Sequence, residues 1–371
     1  MWIKNLKLKN FRNYERLEIN FSNNFNIIYG DNAQGKTNII EAIFLCASGR
    51  SHRTPRDFEM IRNGTDRFEV SVVLRKNSDE EEISILFGNE ERKRIKINEV
   101  PLRKTGDLMG HLNAVIFSPE DLMVIKQGPA ERRRFIDITL SQMKPAYFYE
   151  LQQYNRIMFQ RNTLLKKAES GRIDENMLDV WDRHIAKTGS KIIYERIGLI
   201  KRLDALAAKR HEKLTNYAES LNLFYKPSLA FDENSTAEDI EAAFKNTLYK
   251  NRREEHRRGA TSTGPHRDDI DILINGKNTK IYGSQGQQRT SVLSVKLAEI
   301  DLIKEEIGEY PVLLLDDVLS ELDGRRKEYL LDSIDGLQTF ITCTDREFYD
   351  KEKKEAAFFY VNAGRVNPEE I

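Results

Sequence analysis

The sequence has little cysteine and no long apolar run. Of its 371 residues only Cys46 and Cys343 are cysteines, and no CxxC pair occurs, which excludes a disulfide framework and a cysteine zinc site. No stretch approaches the roughly 18–20 apolar residues of a membrane-spanning helix. The first ten residues alternate lysine with apolar residues, unlike a secretory signal. We expect a cytoplasmic protein with no membrane partner.

An excess of either charge is also lacking. Lysine and arginine together number 59 and aspartate and glutamate together 59, so the formal net charge is zero. Nucleic-acid binding is neither favoured nor excluded by this balance and would depend on local basic patches. A hydrophobic fraction of 39% is sufficient for a packed core and excludes a wholly disordered chain. The length indicates two or three structural units.

The spacing of apolar residues divides the chain into three segments. Residues 1–120 contain short alternating runs typical of strands, with a helix after Lys36. Residues 121–259 form a middle segment that is almost entirely helical in pattern from about 129 to 250, and the stretch 174–221 predicts two helices or one helix that bends. Residues 260–371 return to strands and helices. We predict an α/β fold in which the first and last segments form one discontinuous domain and the middle segment is a mostly helical insert.

A phosphate-binding motif lies between a predicted strand and a predicted helix, which is the context it requires. It fits G-x-x-x-x-G-K-[ST] and consists of Gly30, Asp31, Asn32, Ala33, Gln34, Gly35, Lys36 and Thr37. Glycines let backbone N–H groups approach phosphates closely, and a helix N-terminus favours negative charge. Lys36 is predicted to neutralise the β- and γ-phosphates of ATP, and Thr37 to place its hydroxyl on Mg²⁺.

Two adjacent carboxylates, Asp316 and Asp317, follow the apolar strand predicted at 312–315. Because neighbouring residues of a strand face opposite ways, we expect the two to act differently. One would hold Mg²⁺ opposite Thr37, and the other would lie near the attacking water. A strand capped by acids for solubility is the alternative interpretation.

A second glycine-rich helix start is predicted at residues 283–289, here called the signature segment. A helix N-terminus of this kind can accept a γ-phosphate. Since the phosphate loop already supplies one cradle, a second one suggests that the nucleotide is held between two copies of the chain. The alternative is an ordinary helix start that is capped by Ser284.

Together these three elements resemble the heads of ABC-type ATPases. The signature of that superfamily, roughly Leu-Ser-Gly-Gly-Gln, is matched at Ser284, Gly286 and Gln287, and Ser320–Asp323 is similar to the loop after its acidic strand. Within the superfamily the chain resembles the SMC-like RecF family of bacterial recombination proteins. The similar blocks are Asn10–Tyr14, Gly30–Thr37, Ser51–Arg53, Ser118–Asp121, Arg132–Arg134, Gly264–Asp269, Tyr282–Arg289 and Leu315–Val318. The resemblance implies a discontinuous ABC-type P-loop ATPase head.

The resemblance also implies roles for individual residues. Arg12 and Arg53 are similar in placement to arginines that approach the nucleotide in SMC-like heads, where a guanidinium suits a triphosphate. Glu120 lies where these heads usually carry a glutamine that links Mg²⁺ to the movement of the lobes. Asp317 stands where most of them use glutamate as the catalytic base, so we expect slow hydrolysis. The histidine expected after the next strand is replaced by residues 343–345.

Three basic clusters, at residues 92–96, 132–134 and 252–258, are candidate contacts to the DNA backbone. A solvated, salt-bridged surface explains each of them as well. Binding to duplex DNA or duplex/single-strand junctions without sequence specificity is therefore implied by the resemblance. So are an ATP-dependent homodimer, the partners RecR and RecO, and a weak DNA-stimulated ATPase that acts as a switch. His52 and His266 are expected to be structural.

Other classes of protein carry some or all of these motifs. The ATPase subunit of a membrane transporter carries all three elements, but its core is compact, whereas Thr37 and Asp316 are 279 positions apart in this chain. A structural SMC protein would need a longer coiled-coil arm than this insert provides. A small-molecule kinase would not need the signature segment.

Overall fold

The computed structural model describes residues 1–76, 79–167, 175–232, 234–345 and 356–369. The chain forms two compact units: Met1–Asp121 with Glu299–Ile371, and Leu122–Ala298. The inserted unit therefore ends later than the predicted residue 259. The reason is that the strand at Asp269–Ile274 pairs along its length with a strand at Leu221–Lys226, which anchors it inside the insert.

The elements of the first part of the chain are mainly strands. They are β1 (Trp2–Phe11), β2 (Tyr14–Asn20), β3 (Phe25–Tyr29), α1 (Lys36–Ser48), β4 (Arg67–Lys76), β5 (Asp79–Gly88), β6 (Arg94–Ile97), β7 (Val100–Pro101) and β8 (Ala114–Phe117). The middle part contains α2 (Met123–Lys126), α3 (Pro129–Met143), α4 (Pro145–Lys167), α5 (Glu175–Leu214), β9 (Leu221–Lys226), α6 (Ala237–Arg258), β10 (Asp269–Ile274), β11 (Lys277–Asn278), α7 (Thr279–Tyr282) and α8 (Gln285–Ile307). The last part contains β12 (Val312–Asp316), α9 (Gly324–Ser333), β13 (Thr339–Cys343), β14 (Ala356–Asn362) and β15 (Arg365–Glu369).

The first unit contains two six-stranded sheets. One is antiparallel, in the order β2-β1-β4-β5-β6-β7. The other has the order β15-β14-β3-β13-β12-β8 and is parallel except for β15, which pairs antiparallel with β14. Helix α1 contacts strands of both sheets, and its apolar residues Ile39, Ile40, Ile43 and Phe44 are buried. The core of this unit thus fixes the helix that carries Lys36 and Thr37.

Strand order in the parallel sheet brings the two nucleotide motifs together. Strand β13 lies between β3 and β12, with Thr342 opposite Ile28 on one side and Asp316 on the other. Parallel neighbours end at the same edge of a sheet. The loop after β3 and the carboxylates after β12 therefore emerge side by side, and β12 is buried throughout, as its apolar sequence predicts.

In the second unit, α5 is a single helix of 40 residues, about 60 Å long at 1.5 Å per residue. The alternative of two helices was therefore wrong. Gly189 is tolerated in its middle because the helix packs closely there: a Cβ atom at this position would lie 2.6 Å from the Phe244 ring. The almost entirely helical pattern also missed β9, which pairs with β10.

Within the described residues, none of the helices combines the length and the apolarity needed to cross a membrane.

Candidate functional site

The phosphate loop, residues 30–37, has a backbone that glycine makes possible. Gly30, Ala33 and Gly35 have φ values of 143°, 64° and 119°. Residues other than glycine rarely adopt a positive φ of this size. A Cβ atom on Gly30 would lie 2.3 Å from the Val361 carbonyl oxygen of β14. The loop is thus held closely against the neighbouring strand and opens directly into α1.

Lys36 lies over this loop. Its Nζ donates to the carbonyl oxygens of Gly30 at 2.5 Å and Asp31 at 2.7 Å. Burial lowers the pKa of Lys36, while the charges of Asp317, Cys343, Asp316 and Asp31 act in the opposite direction. The two hydrogen bonds to carbonyl oxygens hold the ammonium group against the loop.

Thr37, Asp316 and Thr342 form a connected group at the end of the parallel sheet. Asp316 Oδ1 accepts hydrogen bonds from the hydroxyls of Thr37 at 2.9 Å and Thr342 at 2.6 Å. Burial raises the pKa of Asp316 although both hydrogen bonds lower it. Carboxylate and hydroxyl oxygens are ligands that Mg²⁺ prefers. No group of three or more metal-ligating side chains is found in the described ranges, so a metal here would depend on phosphate oxygens as well.

Asp317 differs from Asp316 in its surroundings. It is exposed, whereas Asp316 is 4% exposed. Its φ of 54° turns the chain sharply after β12, and its backbone N–H donates to the Thr342 hydroxyl. Ser320 donates to the Asp317 backbone oxygen at 2.7 Å and to its Oδ1 at 3.1 Å. The two adjacent carboxylates therefore have different surroundings, one buried and one facing solvent.

Glu120 lies in a 3-10 turn at Pro119–Leu122 and is exposed. Its negative charge raises the pKa of Asp316, so its field extends to the candidate metal site.

Arg12 and Arg53 converge on a residue that sequence analysis missed. Glu41 of α1 is fully buried and accepts two hydrogen bonds from Arg12, at 2.6 and 2.8 Å. Arg53 lies 3.4 Å from the same carboxylate and donates to Asn38 at 3.0 Å. The available signal was a single acidic residue on an otherwise apolar helix face.

In the second unit, the signature segment is a capped helix start. The Gln287 N–H donates to the Ser284 hydroxyl, and the Ser284 N–H donates to Gln287 Oε1, at 3.2 and 2.9 Å. Ser284 is exposed, and a Cβ atom on Gly286 would meet only Ser284 Oγ, at 3.9 Å. The Gln287 side chain also donates to Glu219 at 2.8 Å. Sequence analysis did not find Glu219, since nothing in its local pattern marks it.

The basic clusters take part in ion pairs. Arg132 makes a two-pronged contact with Asp269, at 2.6 and 3.0 Å. Arg252 pairs with Asp182 at 2.7 Å. Arg94 pairs with Glu91 at 3.3 Å. The side chains of Arg132 and Arg252 are largely buried in these pairs, so their charges contribute to the fold.

His266 fits the structural role expected for it. Its ring nitrogens lie 2.6 Å from the Tyr154 hydroxyl and 3.2 Å from the Thr261 carbonyl oxygen. Burial lowers its pKa to about 4. His52 packs edge-on against Phe44, with ring centroids 5.5 Å apart.

A parallel sheet that joins a phosphate loop to an acidic strand, beside an antiparallel sheet and with a helical insert, defines the SMC-like head of the ABC-type ATPases. The sequence profile of the RecF/RecN/SMC N terminal domain matches residues 2–367. The "DNA replication and repair protein RecF" of Acetivibrio thermocellus is 52% identical over 99% of this chain and 100% of its own. The protein of the same name from Ruminiclostridium cellulolyticum is 49% identical over 99% of both chains. The chain belongs to the RecF family.

Solved structures agree with this assignment. The structure described as "the recombination mediator protein RecF-ATP in RecFOR pathway" superposes with a TM-score of 0.93, 38% identity and coverage of 100% of this chain and 98% of that one. An SmcHead bound to the C-winged helix domain of ScpA has a TM-score of 0.56, 17% identity and coverage of 100% and 97%, and it supports the fold alone. Nothing in these comparisons supports the alternative of a transporter subunit.

Proposed function

We propose that this protein is an ATP-dependent DNA-binding switch of recombinational repair and replication that acts in the cytoplasm. The observation that carries the proposal is the phosphate loop together with Thr37 and Asp316, whose side chains lie 2.9 Å apart. This is the arrangement that a P-loop enzyme uses around Mg²⁺ and a triphosphate. The RecF relatives, one of them solved with ATP, support the same choice of nucleotide.

The nucleotide would lie along residues 30–37, with its phosphates on the backbone N–H groups of the loop and on Lys36. Thr37 and Asp316 would hold Mg²⁺, and the metal would supply neutralisation of the phosphate charge. Their hard oxygen atoms fit that ion. Glu120 would act on the ion from a distance, through the same field that raises the pKa of Asp316.

A second copy of the chain would complete the enclosure. Ser284 and Gly286 present an exposed helix start with no bulky side chain over it, which is suited to a γ-phosphate. Gln287 would join them after exchanging its bond to Glu219. ATP can drive dimerisation only if it binds the dimer more tightly than the monomer.

Hydrolysis would reset the switch. Asp317 would orient the attacking water as a general base. An aspartate is one methylene shorter than the glutamate usual in these heads, so a weak, DNA-stimulated turnover is part of the proposal.

The closed dimer would bind duplex DNA or duplex/single-strand junctions through phosphate contacts without reading the bases. It would work with RecR and RecO in loading recombinase at gaps. The pathway named for the RecF–ATP relative supports these partners.

Sedimentation velocity with and without Mg²⁺ and ATP tests the dimer. The wild type should shift from monomer to dimer with ATP. Ser284→Arg should remain monomeric while it binds ATP normally, because the arginine blocks the γ-phosphate cradle from the second copy. Gln153→Arg adds the same charge at an exposed position of α4 and should dimerise like the wild type.

Fluorescence anisotropy with a gapped duplex tests the switch. ATP should strengthen DNA binding by the wild type and should have no such effect on Lys36→Arg. Affinity should fall steeply as salt is raised, because counterions are released from the phosphates. An affinity that is indifferent to ATP, to Lys36→Arg and to salt would contradict the proposal.

A further inference from the structure

Glu41 lies on the same helix as the phosphate loop's Thr37, four residues further along, so the two residues share a face of α1. Its side chain is 0% exposed. Burying a carboxylate costs free energy unless charged or hydrogen-bonding partners compensate for the lost water. Glu41 lies in the core of the ATPase unit, so partners within the protein must compensate for the lost water.

Both carboxylate oxygens of Glu41 are fully engaged. Oε1 accepts from Arg12 at 2.6 Å and from the Ser51 hydroxyl at 2.5 Å. Oε2 accepts from Arg12 at 2.8 Å and lies 3.4 Å from Arg53 Nη1. Burial raises the pKa of Glu41, but the hydrogen bonds from Arg12 and Ser51 and the charges of both arginines outweigh it and leave the pKa lowered. Glu41 is therefore ionised in the folded protein at neutral pH.

Its partners come from two separate segments. Arg12 lies in the turn between β1 and β2, with φ of 53°, and its backbone N–H donates to the Met60 carbonyl oxygen. Arg53 lies in the loop after α1, where the Ser51 hydroxyl oxygen accepts from the backbone N–H groups of Arg53 and Thr54 at 3.0 and 3.1 Å. The bond from Ser51 to Glu41 thus ties the loop that carries Arg53 to the helix of the phosphate loop.

Arg53 faces the nucleotide motifs. Its Nη1 donates to Asn38, the residue after Thr37, at 3.0 Å. Its side chain is 38% exposed, against 19% for Arg12. Its positive charge lowers the pKa of Asp316, so it acts on the carboxylate that would hold Mg²⁺. Arg12 lies behind it, bonded to Glu41 and to the Glu59 carbonyl oxygen.

We propose that Glu41 is a positioning residue of the nucleotide site, which holds Arg53, with Arg12 behind it, so that the exposed guanidinium of Arg53 reaches the terminal phosphate of ATP. The inference rests on the proposed function, because it takes residues 30–37 as the triphosphate site. It adds a residue that touches no nucleotide and acts through the arginines.

The sign of the effect separates positioning from simple electrostatics. Glu41 carries a negative charge close to where a triphosphate would bind. If charge alone mattered, Glu41→Gln would remove a repulsion and tighten ATP binding. If Glu41 holds the arginines, the same change places an amide NH₂ group, itself a donor, against guanidinium and hydroxyl donors. Arg53 is then released, and ATP binding becomes weaker.

The test compares ATP and ADP affinities of the full chain by competition against a fluorescent ATP analogue. For Glu41→Gln we expect ATP to bind about tenfold more weakly, the size of one charge-assisted hydrogen bond, with ADP affinity little changed because Arg53 serves the terminal phosphate. Glu41→Asp keeps the charge and should recover part of the loss. A merely structural role would lower both affinities together, or neither.

Three further variants keep the test decisive. Glu80→Gln breaks the exposed pair with Lys4 on the same unit and should alter neither affinity. Ser51→Ala releases the Arg53 loop while it keeps the carboxylate, so it should reproduce the selective ATP loss even if Glu41→Gln folds poorly. Adding Glu41→Gln to Arg53→Ala should weaken ATP binding no further than Arg53→Ala alone.

ATP binding by Glu41→Gln that equals or exceeds the wild type would overturn the inference, as would equal losses for ATP and ADP. So would full additivity with Arg53→Ala. The proposed function fails separately: in that case the wild-type chain itself would not bind ATP.

Discussion

The Thr37 hydroxyl donates to Asp316 Oδ1 at 2.9 Å, although 279 residues separate the two in the chain. The contact exists because β13 places β3 and β12 on either side of Thr342, whose hydroxyl binds the same oxygen at 2.6 Å. A hydroxyl that donates its proton to a carboxylate keeps its lone pairs for a cation. The sheet and these hydrogen bonds thus position the candidate metal ligands, and positioning of this kind lowers the cost of binding.

Replacing Thr37 by valine tests the metal role of its hydroxyl. Valine has almost the same shape, so α1 and its packing should persist. We expect Mg²⁺ to strengthen ATP binding by the wild type and to have little effect on Thr37→Val. Titration of ATP with and without excess EDTA measures the difference.

Thr163→Val is the matched control, because the Thr163 hydroxyl donates within its own helix, to the Phe159 carbonyl oxygen at 2.8 Å. It should respond to Mg²⁺ like the wild type. If Thr37→Val did so as well, the hydroxyl would not be a metal ligand.

Asp316→Asn should stabilise the nucleotide-free protein while it weakens Mg²⁺-dependent ATP binding. Burial raises the pKa of Asp316, which means that the ionised form is disfavoured in the folded state and that the wild type loses stability as pH rises through this raised pKa. Asparagine is neutral at every pH. At pH 7 we expect a higher unfolding midpoint; in a unit of this size each ~1 kcal/mol of added stability raises the midpoint by about 2–4 °C.

The advantage of Asp316→Asn should shrink as pH falls through the raised pKa of Asp316, because the wild-type carboxyl then becomes neutral too. Thermal unfolding at a series of pH values measures this. Asp271→Asn, which removes a surface pair with Lys226 at 3.5 Å, should give no such rise. A midpoint for Asp316→Asn that lies below the wild type at neutral pH would contradict the argument.

Asp317→Asn should separate hydrolysis from binding. Asp317 is exposed and oriented by Ser320, so its loss should leave the phosphate loop intact. We expect kcat to fall by about 100-fold or more, the usual contribution of a general base, with ATP affinity retained. Phosphate release at saturating ATP and Mg²⁺ is the measurement.

Glu328→Gln, an exposed acid on α9, is the control and should turn over ATP at the wild-type rate. Asp317→Glu adds back the methylene that most of these heads have, and faster turnover would support the explanation given for slow hydrolysis. Unchanged kcat in Asp317→Asn would remove this residue from the role of base.

Sequence predicted the parts of the site that have a local signal. The phosphate loop and the acidic strand are contiguous motifs with distinctive flanks, and the family resemblance supplied Arg12 and Arg53. Glu41 and Glu219 were not predicted because their partners are distant in the sequence. Glu219 accepts a hydrogen bond from Gln287, 68 residues away, and Glu41 accepts one from Arg12, 29 residues away. A pairing of this kind is set by tertiary structure and leaves no periodic pattern.

In the fold, too, elements with a local sequence signal were predicted and elements without one were missed. The buried strand β12 was clear from its unbroken apolar run, whereas β9 was missed because its six residues follow a long helix and carry exposed Phe224 on an alternating pattern. The later boundary of the insert depends on the pairing of β9 with β10. Once the strand was missed, that boundary could not be predicted.

Gly30 and Gly64 offer a matched test of how the phosphate loop is held. Both have positive φ, 143° and 82°, so alanine is strained at either position. Only at Gly30 would the new Cβ atom meet a neighbour, the Val361 carbonyl oxygen at 2.3 Å; at Gly64 nothing in the described residues lies within 4 Å.

We expect Gly64→Ala to lower the free energy of unfolding by about 1–2 kcal/mol from backbone strain alone. Gly30→Ala should lower it by about 2–5 kcal/mol, because overpacking adds to the strain, and it should also weaken ATP binding, since the loop must move away from β14. Urea unfolding of both variants, with equal slopes, gives the comparison. Equal losses of stability and normal ATP binding in both variants would show that the contact with β14 does not shape the loop.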